Sequence, residues 1–223
     1  MHAHFNFLSL FLFLQNTLWP ETRKLYGHGY ELLCVAASHS GSVLASAAKA
    51  SLPVHAVLRL WSVATWAELY QLPGHQLSVT QLAFSHDDEW LLSASRDRQW
   101  CLYRRADASP MQYSLHTVHI QAHERIIWSV SWAADDSIFA TAARDKTVKV
   151  WQKSSAAPVT SSGEDAVGAV AASGYSWGLA GVVCSGEHSA TAVAVLPSRV
   201  AGALVVAVIG PLSMTLDALS HFR

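Results

Sequence analysis

Residues Gly74–Tyr103 read GHQLSVTQLAFSHDDEWLLSASRDRQWCLY, and this stretch decides the fold because it recurs. A histidine opens it, two apolar β-like segments follow, and an Asp turn leads to a third segment that ends in an aromatic residue. The same order returns in Ala122–Trp151, where each landmark lies 48 residues after its counterpart. A more divergent copy occupies Gly27–Trp61, and its histidine lies 33 residues before the final aromatic residue instead of 28. The sequence therefore predicts a repeated β unit.

The length of the repeat indicates which architecture the units build. A period of about 40–50 residues with these landmarks is typical of propeller blades. In the clearest copy, Val79–Phe84 alternates as a strand does, and Trp90–Ser95 is predicted to be the next strand. One small sheet cannot bury both of its faces, so successive sheets must stack. We therefore predict an all-β propeller fragment of about three to four blades, each a four-stranded antiparallel sheet.

The chain is short for a closed ring, because seven blades would need roughly 280–315 residues and this sequence has 223. An open ring exposes a blade face that normally packs on a neighbour, and we expect that face to be adhesive. The chain is expected to begin with a hydrophobic leader at 1–14, followed by repeats at 15–153. The blades within the repeats are expected at 18–66, 67–114 and 115–153. A linker-like low-complexity segment at 154–189 and an incomplete fourth blade or disordered tail at 190–223 complete the division.

The leader contains a ten-residue apolar run, Phe5–Leu14. No Lys or Arg precedes this run and no small-residue cleavage site follows it, so an extraneous start is favoured over a signal peptide. The run is also too short to cross a bilayer. We therefore predict no membrane partner.

Composition narrows the classes of function. The formal net charge is −1, from 15 Lys and Arg against 16 Asp and Glu, so no global field draws the protein to nucleic acid or to an anionic membrane. The three cysteines, Cys34, Cys101 and Cys184, are an odd and scattered set that indicates reduced thiols in an intracellular protein. No closely spaced zinc ligands and no glycine-rich phosphate loop are present, so we predict no metal and no cofactor.

Ser95, His75 and Asp97 are the residue types of a nucleophile, a base and an orienting carboxylate. An enzyme does not need such a set every 48 residues, and Ala143 stands where the third copy would need the serine. The favoured interpretation is structural: the imidazole donates to the buried carboxylate, and a strand hydroxyl and a tryptophan N–H complete the set. The residues assigned this structural role are His28, Trp61, His75, Ser95, Asp97, Tyr103, His123, Asp145 and Trp151. We predict no catalytic residue.

Basic residues beside the Asp turns form the candidate interface. They are Arg96, Arg98, Arg125, Arg144 and Lys146. In a propeller these turns and the histidine loops emerge on one rim, where guanidinium groups can hold carboxylates or phosphates in bidentate geometry. The alternative is an ordinary solvated charged turn.

Tryptophans offer a second candidate surface. Trp90, Trp100, Trp128 and Trp132 could stack nucleic acid bases. At alternating strand positions, however, tryptophans more often fill the core between blades. We therefore expect all four to be buried.

The histidine loops, the Asp turns and the closing Leu60-Trp61 and Val150-Trp151 pairs resemble the WD40-repeat proteins. More narrowly, several segments are similar to the Elongator complex subunit 2 family. They are Leu14–Glu21, Lys24–Glu31, Ser95–Arg98 and Arg125–Ser129. The similarity extends over residues 14–151, and 190–210 faintly resembles that family's next blade.

This resemblance implies a function. It implies that this chain corresponds to part of the second of two seven-bladed propellers. It also implies the role of a non-catalytic scaffold subunit of Elongator, the complex that modifies the wobble uridine of tRNA. The implied partners are the other Elongator subunits, with at most a weak or indirect tRNA contact, and the implied location is the cytoplasm, with the nucleus as a second location. The alternative is a basic propeller rim that binds RNA or an acidic partner outside Elongator.

Overall fold

The computed structural model describes residues 23–107, 109–154, 175–184, 189–195, 204–209 and 214–219. Within these ranges the chain forms strands and one short 3-10 turn, Pro53–His55. The strands are β1 Leu32–Ala37, β2 Val43–Ala48, β3 Leu58–Ser62, β4 Glu68–Leu72, β5 Val79–Phe84, β6 Trp90–Ser95, β7 Trp100–Ala106, β8 Ser109–His119, β9 Ile127–Trp132, β10 Ile138–Ala143, β11 Thr147–Ser154, β12 Ser176–Cys184, β13 Ala192–Val195, β14 Leu204–Ile209 and β15 Met214–Leu219.

These strands form four antiparallel sheets in which chain neighbours are hydrogen-bonded neighbours. The first sheet is β1–β4, the second is β5–β8, the third is β9–β12, and the fourth is the three-stranded β13–β15. The predicted all-β class with four-stranded antiparallel sheets is confirmed. The first two sheets end at Leu72 and His119, whereas the predicted blades end at 66 and 114. The difference arises because β4 pairs with β3 and β8 pairs with β7.

The linker predicted at 154–189 is wrong for β12, the strand Ser176–Cys184. This strand pairs with β11 along its length and completes the third sheet. Two glycines interrupt its apolar residues, so the segment resembles a linker, and pairing with β11 fixes the strand. The predicted leader at 1–14 lies outside the described residues.

A left-handed residue closes the hairpin between the first two strands in each of the first three sheets. These residues are Gly41 at φ 69°, Asp88 at φ 57° and Asp136 at φ 53°. Glycine takes this conformation without a steric penalty, and Asp tolerates it better than most residues do. The repeat therefore places a carboxylate at the tip of the second and third hairpins and none at the first.

Three apolar layers hold the sheets together. Small and aliphatic side chains such as Ala45, Leu60 and Leu82 fill the layer between the first and second sheets. The layer between the second and third sheets is aromatic and includes Trp90, Trp100, Trp132, Phe139, Trp151 and Trp177. Aliphatic residues again fill the layer between the third and fourth sheets. Three of the four tryptophans expected in the core are buried, but Trp128 is 39% exposed and lies outside it.

Candidate functional site

A hydrogen-bonded set of four side chains braces the third sheet. His123 is 1% exposed, and its Nδ1 lies 2.9 Å from Asp145 Oδ2. Its Nε2 lies 2.7 Å from Thr141 Oγ1, and the Trp151 indole N–H donates to the same oxygen at 3.0 Å. Because a carboxylate only accepts, Nδ1 carries the proton and Nε2 accepts from the Thr141 hydroxyl. Every polar group of the set is thereby satisfied.

Burial lowers the pKa of His123 to about 4, which outweighs the attraction of the Asp145 carboxylate. Burial also acts to raise the pKa of Asp145, but hydrogen bonds from Thr147 and His123 hold it below its ordinary value. At neutral pH the set therefore contains a neutral imidazole and an ionised carboxylate. The imidazole donates to the carboxylate and is fixed in one tautomer.

The second sheet contains the same set at equivalent positions. His75 Nδ1 lies 3.1 Å from Asp97 Oδ2, and its Nε2 lies 2.7 Å from Ser93 Oγ. The interpretation that Ser95 belongs to this set is wrong, because Ser95 Oγ instead donates to the Ser78 carbonyl at 2.9 Å. Ser93 and Ser95 face the same side of β6, but it is the Ser93 hydroxyl that lies beside His75 Nε2.

The hydroxyl lies 18 residues after the histidine in all three copies, and in the first sheet it belongs to Ser46, which is paired with His28. Ser46 Oγ accepts from the Trp61 N–H at 2.8 Å and lies 2.8 Å from His28 Nε2. In the second sheet Tyr103 replaces the tryptophan, and its hydroxyl donates to the Pro73 carbonyl at 3.1 Å.

The Ser93–His75–Asp97 set has the connectivity of a catalytic triad, but a substrate has no access to it. Ser93 is 0% exposed, and the His75 side chain is also 0% exposed. The third sheet repeats the arrangement with a threonine that is itself 0% exposed. A nucleophile must reach its substrate, so these sets brace the sheets and do not act on a substrate.

An open basic pocket lies on the rim, close to these braces. The pocket measures about 510 Å³, and its lining residues are Arg96, Arg98, Glu124, Arg125, Ile126 and Arg144. The lining contains four guanidinium groups and one carboxylate, so its net charge is +3. All four arginines are exposed. The structure therefore brings four of the five predicted interface residues together, while Lys146 is not part of the lining.

Backbone hydrogen bonds fix the loops that carry the arginines. The Arg96 N–H donates to the Ser78 carbonyl at 3.0 Å, and the Arg144 N–H donates to the Ile126 carbonyl at 2.9 Å. The His123 N–H reaches the Arg98 carbonyl at 3.4 Å, which joins the second and third sheets beneath the pocket. The backbone positions of Arg96 and Arg144 are therefore fixed. Glu124 and Ile126 were missed at the sequence level, although they lie beside Arg125 in the loop that supplies it.

Within the described ranges, no three His, Cys, Asp or Glu side chains are grouped as metal ligands. The same ranges contain no helix that is long and apolar enough to cross a membrane.

Comparison with known families decides the identity of the repeat. The family described as WD domain, G-beta repeat (WD40) matches residues 66–104 and 113–152. This chain contains WD40 repeats. The first match runs from just before β4 of the first sheet into β7, and the second runs from β8 of the second sheet into β11. Together they include the two histidine–carboxylate sets.

Among curated proteins, this WD40 chain is similar to Elongator complex protein 2. It is 49% identical to the Mus musculus protein and 44% identical to the Homo sapiens protein, each over 127 residues. It is 46% identical to the Drosophila melanogaster protein over 123 residues. Each match covers 54% of this chain and 15% of the relative, so the chain spans a small part of the length of these relatives.

Among solved structures, the fold of the WD40 chain is similar to "Structure of U3-55K" and "Crystal structure of RRP9 WD40 repeats". Both superpose with a TM-score of 0.58 at 19% identity and cover 87% of this chain. The matches cover 54% and 53% of those chains. At this identity the likeness supports the propeller fold alone.

Proposed function

We propose that this chain is a non-catalytic scaffold of the Elongator complex that supports modification of the tRNA wobble uridine by holding other subunits in place. The observation that carries the proposal is the 44–49% identity to Elongator complex protein 2 over 127 residues. A likeness of the propeller fold alone occurs at 19% identity, so an identity of 44–49% supports a relationship closer than a shared fold.

The side-chain chemistry supports a scaffold. The buried histidines and hydroxyls of the second and third sheets bond to one another inside the protein. A stack of rigid sheets instead presents loops and rims at fixed positions, which suits the binding of protein partners. The proposed partners are the other Elongator subunits, and the proposed location is the cytoplasm, with the nucleus as a second site.

Co-purification tests this proposal. The chain would be expressed with an affinity tag in cells that contain Elongator, and the other subunits would be detected in the eluate. We expect them to be recovered with the wild-type chain. A folded chain that recovers none of them would remove the proposal.

A second candidate function is direct RNA binding at the basic pocket. The observation that favours it is the grouping of Arg96, Arg98, Arg125 and Arg144 around one pocket. Phosphate contacts release counterions, so the logarithm of the binding constant should fall steeply with the logarithm of the salt concentration. The double change Arg96→Ala with Arg144→Ala should flatten that slope by about two units, one for each lost contact. Lys49→Ala, outside the pocket, is the matched control. An equal slope in the double variant would exclude this function.

A further inference from the structure

Trp128 is a tryptophan on the first strand of the third sheet that the core does not cover. It is 39% exposed, whereas its chain neighbour Ile127 is 0% exposed. Large aromatic side chains bury much apolar surface when they are covered, so an uncovered tryptophan on a strand needs a local cause. The cause is a β-bulge in β9.

The pairing of β9 with β10 leaves Trp128 without a partner on β10. Ile127 pairs with Ala143. The next pair is Ser129 with Ala142, so two consecutive residues of β10 face residues that are two apart on β9. Trp128 is therefore the extra residue of the bulge, and a bulge of this kind turns a side chain out of the regular alternation of the strand.

The two residues beside Trp128 face opposite neighbours. Ile127 packs into the aromatic layer toward the second sheet, whereas the Ser129 hydroxyl accepts from the Val193 N–H of the fourth sheet at 3.2 Å. In a regular strand these two side chains would point the same way, because they are two residues apart. Trp128 thus belongs to neither packed face, and its ring is left partly in solvent.

The bulge recurs in the first two sheets at the same distance from the histidine. Leu33, Thr80 and Trp128 are the extra residues, and each lies five positions after the histidine of its own sheet. None of the three is buried. The Thr80 hydroxyl donates to the Ile127 carbonyl at 2.7 Å, so the bulge of the second sheet lies against that of the third. The repeat therefore keeps this position outside the core and lets its residue type vary.

The bulge places Trp128 beside the basic pocket. Ile126, two residues earlier in the chain, is part of the lining of that pocket, and so is Arg125. Two residues of extended chain span at most about 7 Å, so the Cα atoms of Ile126 and Trp128 are no farther apart than that. The Arg144 N–H donates to the Ile126 carbonyl, which ties this stretch to another arginine loop of the pocket. An indole ring and several guanidinium groups therefore share one part of the surface.

This combination suits single-stranded RNA. Proteins that bind single strands join a positively charged groove, which follows the phosphates, to aromatic rings on which bases stack. A protein hot spot centred on tryptophan is instead ringed by near-neutral contacts that exclude water. The lining beside Trp128 is charged, with four arginines and one glutamate. These surroundings favour RNA over a protein partner.

We propose that Trp128 stacks on a nucleobase of a single-stranded RNA whose phosphates lie in the basic pocket. The inference rests on the second candidate function, RNA binding at that pocket, and adds a contact to the base rather than to the phosphate. Every base has a ring face, so the contact does not select a sequence. It favours single strands, whose unstacked bases can turn out onto an aromatic side chain.

Fluorescence anisotropy of the full chain with a labelled oligoadenylate of about ten nucleotides tests the stacking contact. Trp128→Ala should weaken binding by about 5- to 150-fold, which is the effect of one lost base stack. Trp128→Phe should retain most of the affinity, because phenylalanine also offers a ring face. Trp66→Ala is the matched control, since Trp66 is 38% exposed and lies in the turn between β3 and β4 of the first sheet.

An abasic strand of the same length separates stacking from phosphate contact. It keeps the charges of the oligoadenylate but has no bases, so the wild-type chain and Trp128→Ala should bind it equally. The salt dependence of oligoadenylate binding should also be equal in the two chains, because tryptophan carries no charge. Circular dichroism checks the fold. Trp128→Thr replaces Trp128→Ala if that variant unfolds, since the second sheet has Thr80 at this position.

The other outcomes overturn the inference. If Trp128→Ala binds oligoadenylate as tightly as the wild-type chain does, the pocket holds phosphates alone, and RNA binding stands without the stack. If Trp128→Ala also loses affinity for the abasic strand, the indole acts through the fold and not on a base. A wild-type chain that binds neither strand removes the RNA-binding function itself. Loss of the Elongator subunits from Trp128→Ala in the co-purification would then assign the residue to a protein contact.

Discussion

Asp136 Oδ2 lies 2.9 Å from the backbone nitrogen of Asp87, which belongs to the neighbouring sheet. The other carboxylate oxygen of Asp136 accepts from the His86 N–H at 2.9 Å. Asp88 makes the same pair of contacts with His39 and Ser40, at 2.7 and 2.8 Å. The carboxylate of a hairpin tip thus binds two amides of the preceding hairpin and fastens one sheet to the next.

Replacing this carboxylate should loosen the contact between sheets. Asp136→Asn keeps the shape and the tolerance for positive φ, but it removes the charge and one of the two acceptors. Hydrogen bonds to charged groups contribute about 1.5–3 kcal/mol, so we expect the free energy of unfolding in urea to fall by about 1–3 kcal/mol. Asp135→Asn is the control, because Asp135 is exposed at the same tip. Equal losses in the two variants would argue against the contact.

Acid should destabilise the protein through the third sheet. Burial lowers the pKa of folded His123 to about 4, whereas an unfolded histidine has a pKa near 6.5. As the pH falls from about 6.5 to 4, the unfolded chain binds a proton that the folded chain excludes, which costs about 3 kcal/mol. The lowered pKa of Asp145 has the same sign and acts at lower pH.

The measurement is the urea unfolding free energy at pH 7.5, 5.5 and 4.5. His123→Gln should reduce the dependence on pH over this range, because glutamine does not titrate. A variant with the slope of the wild-type chain would assign the acid sensitivity to other groups.

A methyl group at position 74 should collide with the tyrosine that distinguishes the second sheet. A Cβ added to Gly74 would lie 2.6 Å from the Tyr103 hydroxyl oxygen and 3.1 Å from Cys101 Sγ. Overpacking of this kind costs about 1–3 kcal/mol, so Gly74→Ala should lower the unfolding free energy by that amount.

The control is the same change in a Tyr103→Phe background. Removing the hydroxyl removes the closest contact, so Gly74→Ala should cost less there than in the wild-type chain. Equal costs in both backgrounds would place the strain in the backbone, where Gly74 has φ 157°, or at Cys101. Differential scanning calorimetry of the four chains gives the comparison.

The histidine–carboxylate pairs could be predicted from the sequence because the number of residues between histidine and aspartate is the same in two copies. His75 and His123 each lie 22 residues before their aspartate, so both pairs meet at the same place in the sheet. The hydroxyl partner was harder to predict, since Ser93 and Ser95 share a face of β6. The repeat itself separates them, because a hydroxyl residue lies 18 positions after the histidine in all three copies, whereas Ala143 occupies the position of Ser95 in the third.

Two other features required three-dimensional information. The strand Ser176–Cys184 is positioned by its pairing with β11, and two glycines interrupt its apolar residues Trp177, Leu179, Val182 and Val183. The basic pocket forms from separate loops near Arg96, Arg125 and Arg144. Their charges were evident from the sequence, but Glu124 and the shape of the pocket were not.

The central claim is that the recurring histidines brace the sheets, and a double-mutant cycle on His123 and Thr141 tests it most directly. We expect His123→Ala and Thr141→Val each to lower the unfolding free energy by about 2 kcal/mol, because each leaves a buried polar group unpaired. The double variant should lose about 1 kcal/mol less than the sum, which is the coupling of residues in contact. Thr141→Ser should stay close to the wild-type chain. Additive losses, or a Thr141→Val chain as stable as the wild type, would contradict the account.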